Sequence, residues 1–199
     1  MSIEVTIPDN IPKRGNAVTK TIGRWAFRAI GWRLFGHFPS EPKFIAIVAP
    51  HRSMWDFFLG MIVLFATGIK FSWMAKHTLF RWPIRGILIW LGGIPINRSA
   101  AHGVVNQTAT AFEKHDKLII AIMPQGTRTH DLTPVHEWKH GFYHIANRAH
   151  VDILPIHFNY AAKEICFGQT IEATQDKAVV LTLLQQFYDV RAADLARAE

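Results

Sequence analysis

Apolar and polar positions fall into short blocks along this chain, and the blocks read alternately as strands and helices. Residues 1–16 are polar, carry Pro8, Pro12 and Gly15, and read as a loose arm. From Ala17 to Phe35 the period is helical. Lys20, Arg24 and Arg28 form a basic stripe, and Ile22, Trp25, Ala29 and Trp32 form an apolar one, widened by Phe27, Ile30, Leu34 and Phe35. Phe44–Ala49 is a short apolar run rich in strand formers, and Pro50 ends it. Phe57–Ala66 is apolar all round and suits a buried helix.

The alternation continues to the end of the chain. Ile69–Lys76 reads as a strand, 78–91 as a helix with a proline-marked start at Pro83, and Ile94–Ile96 as a strand after Gly92-Gly93. Residues 100–115 predict a helix with Val104, Val105, Thr108, Ala111 and Phe112 inward. Leu118–Met123 is a strand, 137–149 a helix, and Val151–Tyr160 a strand interrupted at Pro155. Glu164–Gly168 adds another strand. Asp176 caps a last helix over 177–191, with Val179, Val180, Leu183, Leu184 and Phe187 inward. Such alternation predicts an α/β fold, with a mostly parallel or mixed central sheet flanked by helices.

Composition narrows the picture. With 49% apolar and 19% charged residues over 199 positions, the chain builds a real core and is not disordered. A net charge of +7 draws it to anionic partners: nucleic acid, anionic lipid or phosphorylated small molecules. No helix-turn-helix, zinc-finger or RNA-recognition pattern is present, so nucleic acid is set aside. The single Cys166 excludes an internal disulfide, fits a reducing compartment and reads as a core residue. The N-terminus lacks a secretory pattern, and the longest apolar stretch, about Phe57–Ile69, is too short to span a bilayer. The tryptophans and basic residues of 17–35 instead suit an amphipathic helix lying in a membrane interface.

The chemistry concentrates where predicted strands end. His51 and Asp56 stand five positions apart, on the turn after the first strand and in the first turn of the following helix. A neutral imidazole removes protons well near pH 7 if a carboxylate holds its other nitrogen. Eleven histidines and eight aspartates make this spacing common by chance, so the pair alone does not establish catalysis. Lys76, Arg98 and Arg128 also fall at strand ends and suggest an anion site, with arginine's planar fork suited to a phosphate monoester. Gly126 leaves the backbone open to close approach by a ligand.

Four blocks then occur in order: His51-x4-Asp56; Gly93-Ile94-Pro95-Ile96-Asn97-Arg98-Ser99; Pro124-Gln125-Gly126-Thr127-Arg128-Thr129; and Ile153-Leu154-Pro155-Ile156. Together they resemble the pattern of the glycerol-3-phosphate and 1-acylglycerol-3-phosphate acyltransferases, over roughly residues 20–165. Trp138-Lys139-His140-Gly141-Phe142-Tyr143 also resembles a segment of short bacterial members. The resemblance implies His51 as general base, Asp56 as its orienting acid, Arg98, Gly126, Thr127 and Arg128 at the acceptor phosphate, and Pro155 near the acyl chain. It implies direct transfer from acyl-CoA or an acyl-carrier protein to a lysophospholipid-like acceptor, 1-acylglycerol 3-phosphate, with no bound cofactor or metal. The expected organisation is an arm and membrane helix over 1–36, an acyltransferase domain over 37–199, and peripheral attachment to the cytoplasmic face of the membrane.

Two departures and two rivals accompany this reading. Gln125 and Asn97 stand where the family usually has glutamate and often aspartate, which leaves room for a catalytically weak, lipid-binding relative. His136-Glu137-Trp138-Lys139-His140 is a literal His-Glu-x-x-His, a zinc-hydrolase pattern if helical, with His144 and Glu164 as conceivable further ligands. Ser53 lies inside the first block, but the strained elbow of a nucleophilic serine is missing around it.

Overall fold

In the computed structural model, which describes residues 3–97, 101–126, 128 and 133–196, the chain forms one eight-stranded mixed sheet with helices on both faces. The strands are β1 (Ile3–Glu4), β2 (Arg33–Gly36), β3 (Lys43–Ala49), β4 (Phe71–Lys76), β5 (Gly93–Ile96), β6 (Leu118–Ile122), β7 (Asp152–Asn159) and β8 (Glu164–Phe167). Their order is β1-β2-β8-β7-β3-β6-β4-β5. The five strands from β7 to β5 run parallel, so their carboxyl ends share one edge. β8 returns antiparallel to β7, and β2 and β1 follow it.

The helices are α1 (Ala17–Ala29), α2 (Trp55–Thr67), α3 (Arg85–Trp90), α4 (Ala101–Lys114), α5 (Gly141–Ala149) and α6 (Lys177–Ala196). Right-handed crossovers put helices on a face fixed by the direction of travel along the sheet. From β3 to β4 to β5 the chain moves one way, which places α2 and α3 together; the return through β6 to β7 places α4 and α5 opposite. Strand β3 shows the result: Phe44, Ala46 and Val48 join the core under α1 and α2, while Ile45, Ile47 and Ala49 join the core under α4, α5 and α6. A strand covered on both faces has no polar side, hence the unbroken apolar run.

Several expectations change here. The N-terminal helix stops at Ala29 and does not reach Phe35: Gly31 takes a positive φ of 73°, and Arg33–Gly36 pairs with β8. The first residues are not a loose arm, since Ile3–Glu4 pairs with β2 and Ile11 is fully buried. Strand β7 is not interrupted at Pro155, which pairs with Ile47. The Pro155 carbonyl accepts from Gly168 N at 2.9 Å, so its missing N–H faces the β8 side and the ladder to β3 loses nothing. The segment 78–91 is a 3₁₀ turn over His77–Leu79 and then the short α3. In α6, Val179 and Leu183 are exposed, and the buried row is Val180, Leu184 and Tyr188, four residues apart. The Tyr188 hydroxyl donates to Ile47 O (2.9 Å) and Ile156 O (3.2 Å), tying α6 to two strands.

Helix α1 is capped by Asn16, whose side chain accepts from Thr19 N at 3.0 Å, while Thr19 Oγ1 accepts from Asn16 N at 2.8 Å. It buries Gly23 and Phe27 against α2 and leaves Val18, Ile22 and Trp25 in solvent. Gly23 is required there: a Cβ would lie 2.4 Å from the Ala66 backbone nitrogen of α2.

Candidate active site

The carboxyl edge of the parallel strands gathers the residues singled out by sequence. β3 runs out into His51, and Asp56 occupies the first turn of α2. The Asp56 side chain folds back onto its own approach loop. Oδ2 accepts from His51 Nδ1 (2.7 Å), Arg52 N (2.8 Å) and Ser53 N (3.1 Å). Asp56 is 1% exposed, so the carboxylate is a buried anion held by directed donors. His51 is about one-fifth exposed. The bond from Nδ1 leaves Nε2 as the basic nitrogen of the neutral ring. The predicted pair is therefore one unit.

Gln125 explains part of this geometry. It lies at the carboxyl end of β6, beside β3, and its Oε1 accepts from the backbone N of His51 at 2.7 Å. Its Nε2 donates to Thr133 Oγ1 at 3.3 Å. The residue that departs from the family pattern thus ties the histidine loop to the loop after β6. Ser53 Oγ accepts from Trp55 N at 3.0 Å, a turn contact at the start of α2.

The cation positions divide. Arg128 Nη2 reaches Met54 Sδ at 2.9 Å, which sets it beside the His51–Asp56 loop. Lys76 is exposed at the end of β4, on the same edge, two strands and ~10 Å from β3. Gly126 has a φ of 74°, and a Cβ there would lie 2.7 Å from Lys139 Cε. Its N–H is 3.4 Å from Met123 O. Arg98 and Thr127 lie outside the described residues. Asn97 N and O meet the Gln107 side chain at 3.4 Å.

Beneath the pair lies an apolar cavity of about 100 Å³, between α2 and the sheet. Asp56 and Phe57 line one part of it, and Leu64, Phe71, Ile156 and Phe167 line others. Pro155 is not in its lining; it packs beside Gly168 on the α6 side, and its neighbour Ile156 faces the cavity. Side chains alternate between the two faces of a strand, which sets Pro155 and Ile156 on opposite sides of the sheet.

The His-Glu-x-x-His pattern loses its helical premise. Val135–Glu137 is a 3₁₀ turn, Trp138 is extended, and His140 precedes α5 with Nε2 3.2 Å from Val135 O. The i, i+4 face that would bring His136 and His140 together is not formed. Cys166 is buried in β8, as a core residue should be.

Two residues near the pair, Tyr160 and Arg52, were not singled out as site residues by sequence. The Tyr160 hydroxyl donates to Asp56 Oδ1, and the Arg52 guanidinium lies 5.4 Å from the Tyr160 ring centre. Lys139 packs against Gly126. No local spacing links Tyr160 to Asp56, 104 positions away; the available signal was that a predicted strand ends at Tyr160.

A mixed α/β sheet thus carries a histidine–carboxylate pair at its parallel edge, with the carboxylate buried and an apolar cavity beside it. Residues 2–159 match the acyltransferase family model, and the chain belongs to that family. A 1-acyl-sn-glycerol-3-phosphate acyltransferase of Streptococcus pneumoniae is 32% identical over 121 residues, which is 59% of this chain and 42% of that protein. The chain thus spans less than half the length of this curated relative. The fold is similar to the crystal structure of the 1-acyl-sn-glycerophosphate (LPA) acyltransferase PlsC from Thermotoga maritima. The TM-score is 0.62 at 14% identity, covering 92% of this chain and 79% of the other.

Proposed function

We propose that the chain is an O-acyltransferase that moves a fatty acyl group from an acyl thioester to the hydroxyl of a lysophospholipid-like acceptor, 1-acylglycerol 3-phosphate. The observation that carries the reading is the His51–Asp56 pair, hydrogen-bonded at 2.7 Å with Asp56 buried and lining an apolar cavity, in a chain of this family. His51 Nε2 takes the acceptor hydroxyl proton as the oxygen attacks the thioester carbonyl. Asp56 stabilises the imidazolium that forms. The tetrahedral intermediate collapses, the thiolate of coenzyme A or a carrier protein departs, and the imidazolium returns the proton to it. No covalent acyl-enzyme and no metal takes part. The cavity holds the acyl chain, and Arg128, with Arg98, Thr127 and Lys76, meets the acceptor phosphate.

The reaction runs at the cytoplasmic face of a membrane, with α1, the start of α2 and the α3 segment as the contact face. The distribution of exposed apolar side chains supports this. Val18, Ile22, Trp25, Met54, Trp55, Phe58, Leu79, Trp82, Ile84, Ile87, Ile89 and Trp90 are exposed there, against Val179, Leu183 and Val190 on α6 among the described residues. Ring contact of Phe65 with Trp90, at 6.0 Å, sets α3 beside α2. The first part of the chain is also the more positive: thirteen of the twenty-two Lys and Arg, but four of the fifteen acids, fall in residues 1–112. Tryptophan with a basic surround suits an anionic lipid interface.

The test is purified protein incubated with labelled acyl-CoA and a panel of lysolipids, read by mass. A product of one acyl group added to 1-acylglycerol 3-phosphate is expected. No acylated product with any acceptor, from acyl-CoA or acyl-carrier protein, would reject the reading.

A further inference from the structure

We propose that Tyr160 is a positioning residue for the His51–Asp56 pair, fixing the carboxylate through the oxygen that does not touch the histidine. A carboxylate that steers an imidazole uses one oxygen for the purpose. In Asp56 that oxygen is Oδ2, and all three of its donors come from residues 51–53 of the adjoining loop. Those contacts alone leave the group able to rotate with its own loop. Oδ1 is buried with the rest of the side chain, and a buried carboxylate oxygen needs a donor. The Tyr160 hydroxyl supplies it from the end of β7, the strand next to β3. Rotation of the carboxylate about its Cβ–Cγ bond would break this bond and the three local ones together.

The phenol is itself held from several directions. Trp32, from the turn between α1 and β2, meets the Tyr160 ring edge-on at 5.3 Å and 87°. Arg52 covers the ring from the histidine loop. Across the tyrosine, Asn159 Oδ1 accepts from Ala162 N at 2.9 Å and pins the turn that carries it. Burial, and then the hydrogen bond and charge of Asp56, push the phenol far above its ordinary range. The proton stays on the tyrosine, which therefore acts as a donor and not as a second base. Tyr160 has no role in accepting a substrate proton; it acts through Asp56.

Tyr160→Phe isolates the hydroxyl, because the ring and its contacts with Trp32 and Arg52 persist. In an acyl-transfer assay kcat should fall about tenfold, equivalent to about 1.4 kcal/mol in the barrier, with KM for donor and acceptor within about twofold. In the uncatalysed resting protein, the low-field proton resonance of His51 Nδ1–H should shift, or broaden through exchange with water. A tyrosine that merely fills space would leave that resonance where it is. The proposal is overturned if kcat stays within about twofold while the resonance is unmoved, or if the whole loss appears in KM. The kinetic arm rests on the acyl-transfer reading, whereas the resonance does not. A wild-type protein that transfers no acyl group would remove that reading, and the spectra of the two proteins would still decide the role of Tyr160.

Discussion

His51 and Asp56 show how a site is set by a few directed bonds around one buried charge. Removing the imidazole should remove the base and one donor to Asp56 but keep the fold, since His51 is partly exposed, its backbone rather than its ring meets Gln125, and Arg52 N, Ser53 N and Tyr160 still hold the carboxylate. His51→Ala is expected to lower transfer by 10²–10⁴-fold, roughly the worth of a general base, with an unchanged circular dichroism spectrum. Arg128 stands beside the same loop through Met54. Arg128→Ala should raise KM for a phosphorylated acceptor about tenfold, as loss of a charge-assisted contact does. Rates with an unphosphorylated acceptor should hold; an equal loss with both would reject a phosphate role. Gln125 is 9% exposed and uses its oxygen and its nitrogen for different partners. A glutamate keeps the bond to His51 N but places a second carboxylate in a buried position, at a cost in stability. Turnover of Gln125→Glu should stay within about threefold; an increase by orders of magnitude would show that the family's negative charge is needed after all.

Helix α1 illustrates how one amphipathic element can be apolar twice. Its basic and apolar stripes were plain in the spacing, yet the face that packs inward is Gly23 and Phe27, while Ile22 and Trp25 of the apolar stripe are outside and Trp32, past the helix end, is buried. The small residue decides this. Only a glycine lets α1 come within touching distance of the Ala66 backbone, and that approach drives Phe27 into the core. Gly23→Val is expected to force the helices apart and cost about 2 kcal/mol, which for a chain of this size is a fall of about 4–8 °C in Tm. An unchanged melting curve would mean that α1 is loosely seated. The first 36 residues also supply β1, β2 and part of one core, so point changes on the outer stripe probe this helix more cleanly than its removal. In α6 the same logic operates in reverse: five apolar positions were available for burial, and the tyrosine hydroxyl reaching two strand carbonyls selected the row with Tyr188.

As a body, the molecule is one-sided. Exposed aromatic side chains lie on the α1–α2–α3 side, and the second half of the chain holds most of the acids. Burying exposed tryptophans in a lipid interface and pairing lysines and arginines with anionic headgroups reinforce each other. Trp25→Ser combined with Trp82→Ser should reduce co-sedimentation with vesicles rich in anionic lipid at least about tenfold, with Tm unchanged because both rings are already outside. Raised salt should weaken binding of the wild type. Sedimentation unaffected by both changes would place the contact elsewhere.

Much of this was legible in the chain itself. Strand and helix alternation, the apolar β3, the glycine ends and the histidine–aspartate spacing are local properties, set by backbone preference and by periodicity over a few residues. Proline within β7 misled the reading, because its cost depends on which side its missing N–H faces, and that is settled by where β8 lies. The inward face of α1, the row of α6 that is buried, the collapse of the His-Glu-x-x-His helix and the bonds from Gln125 and Tyr160 to the His51–Asp56 unit all depend on partners 40 or more positions away or on competing local packings. Such contacts come into being when strands align along a sheet, since adjacency across strands is a matter of register and order rather than of distance along the chain.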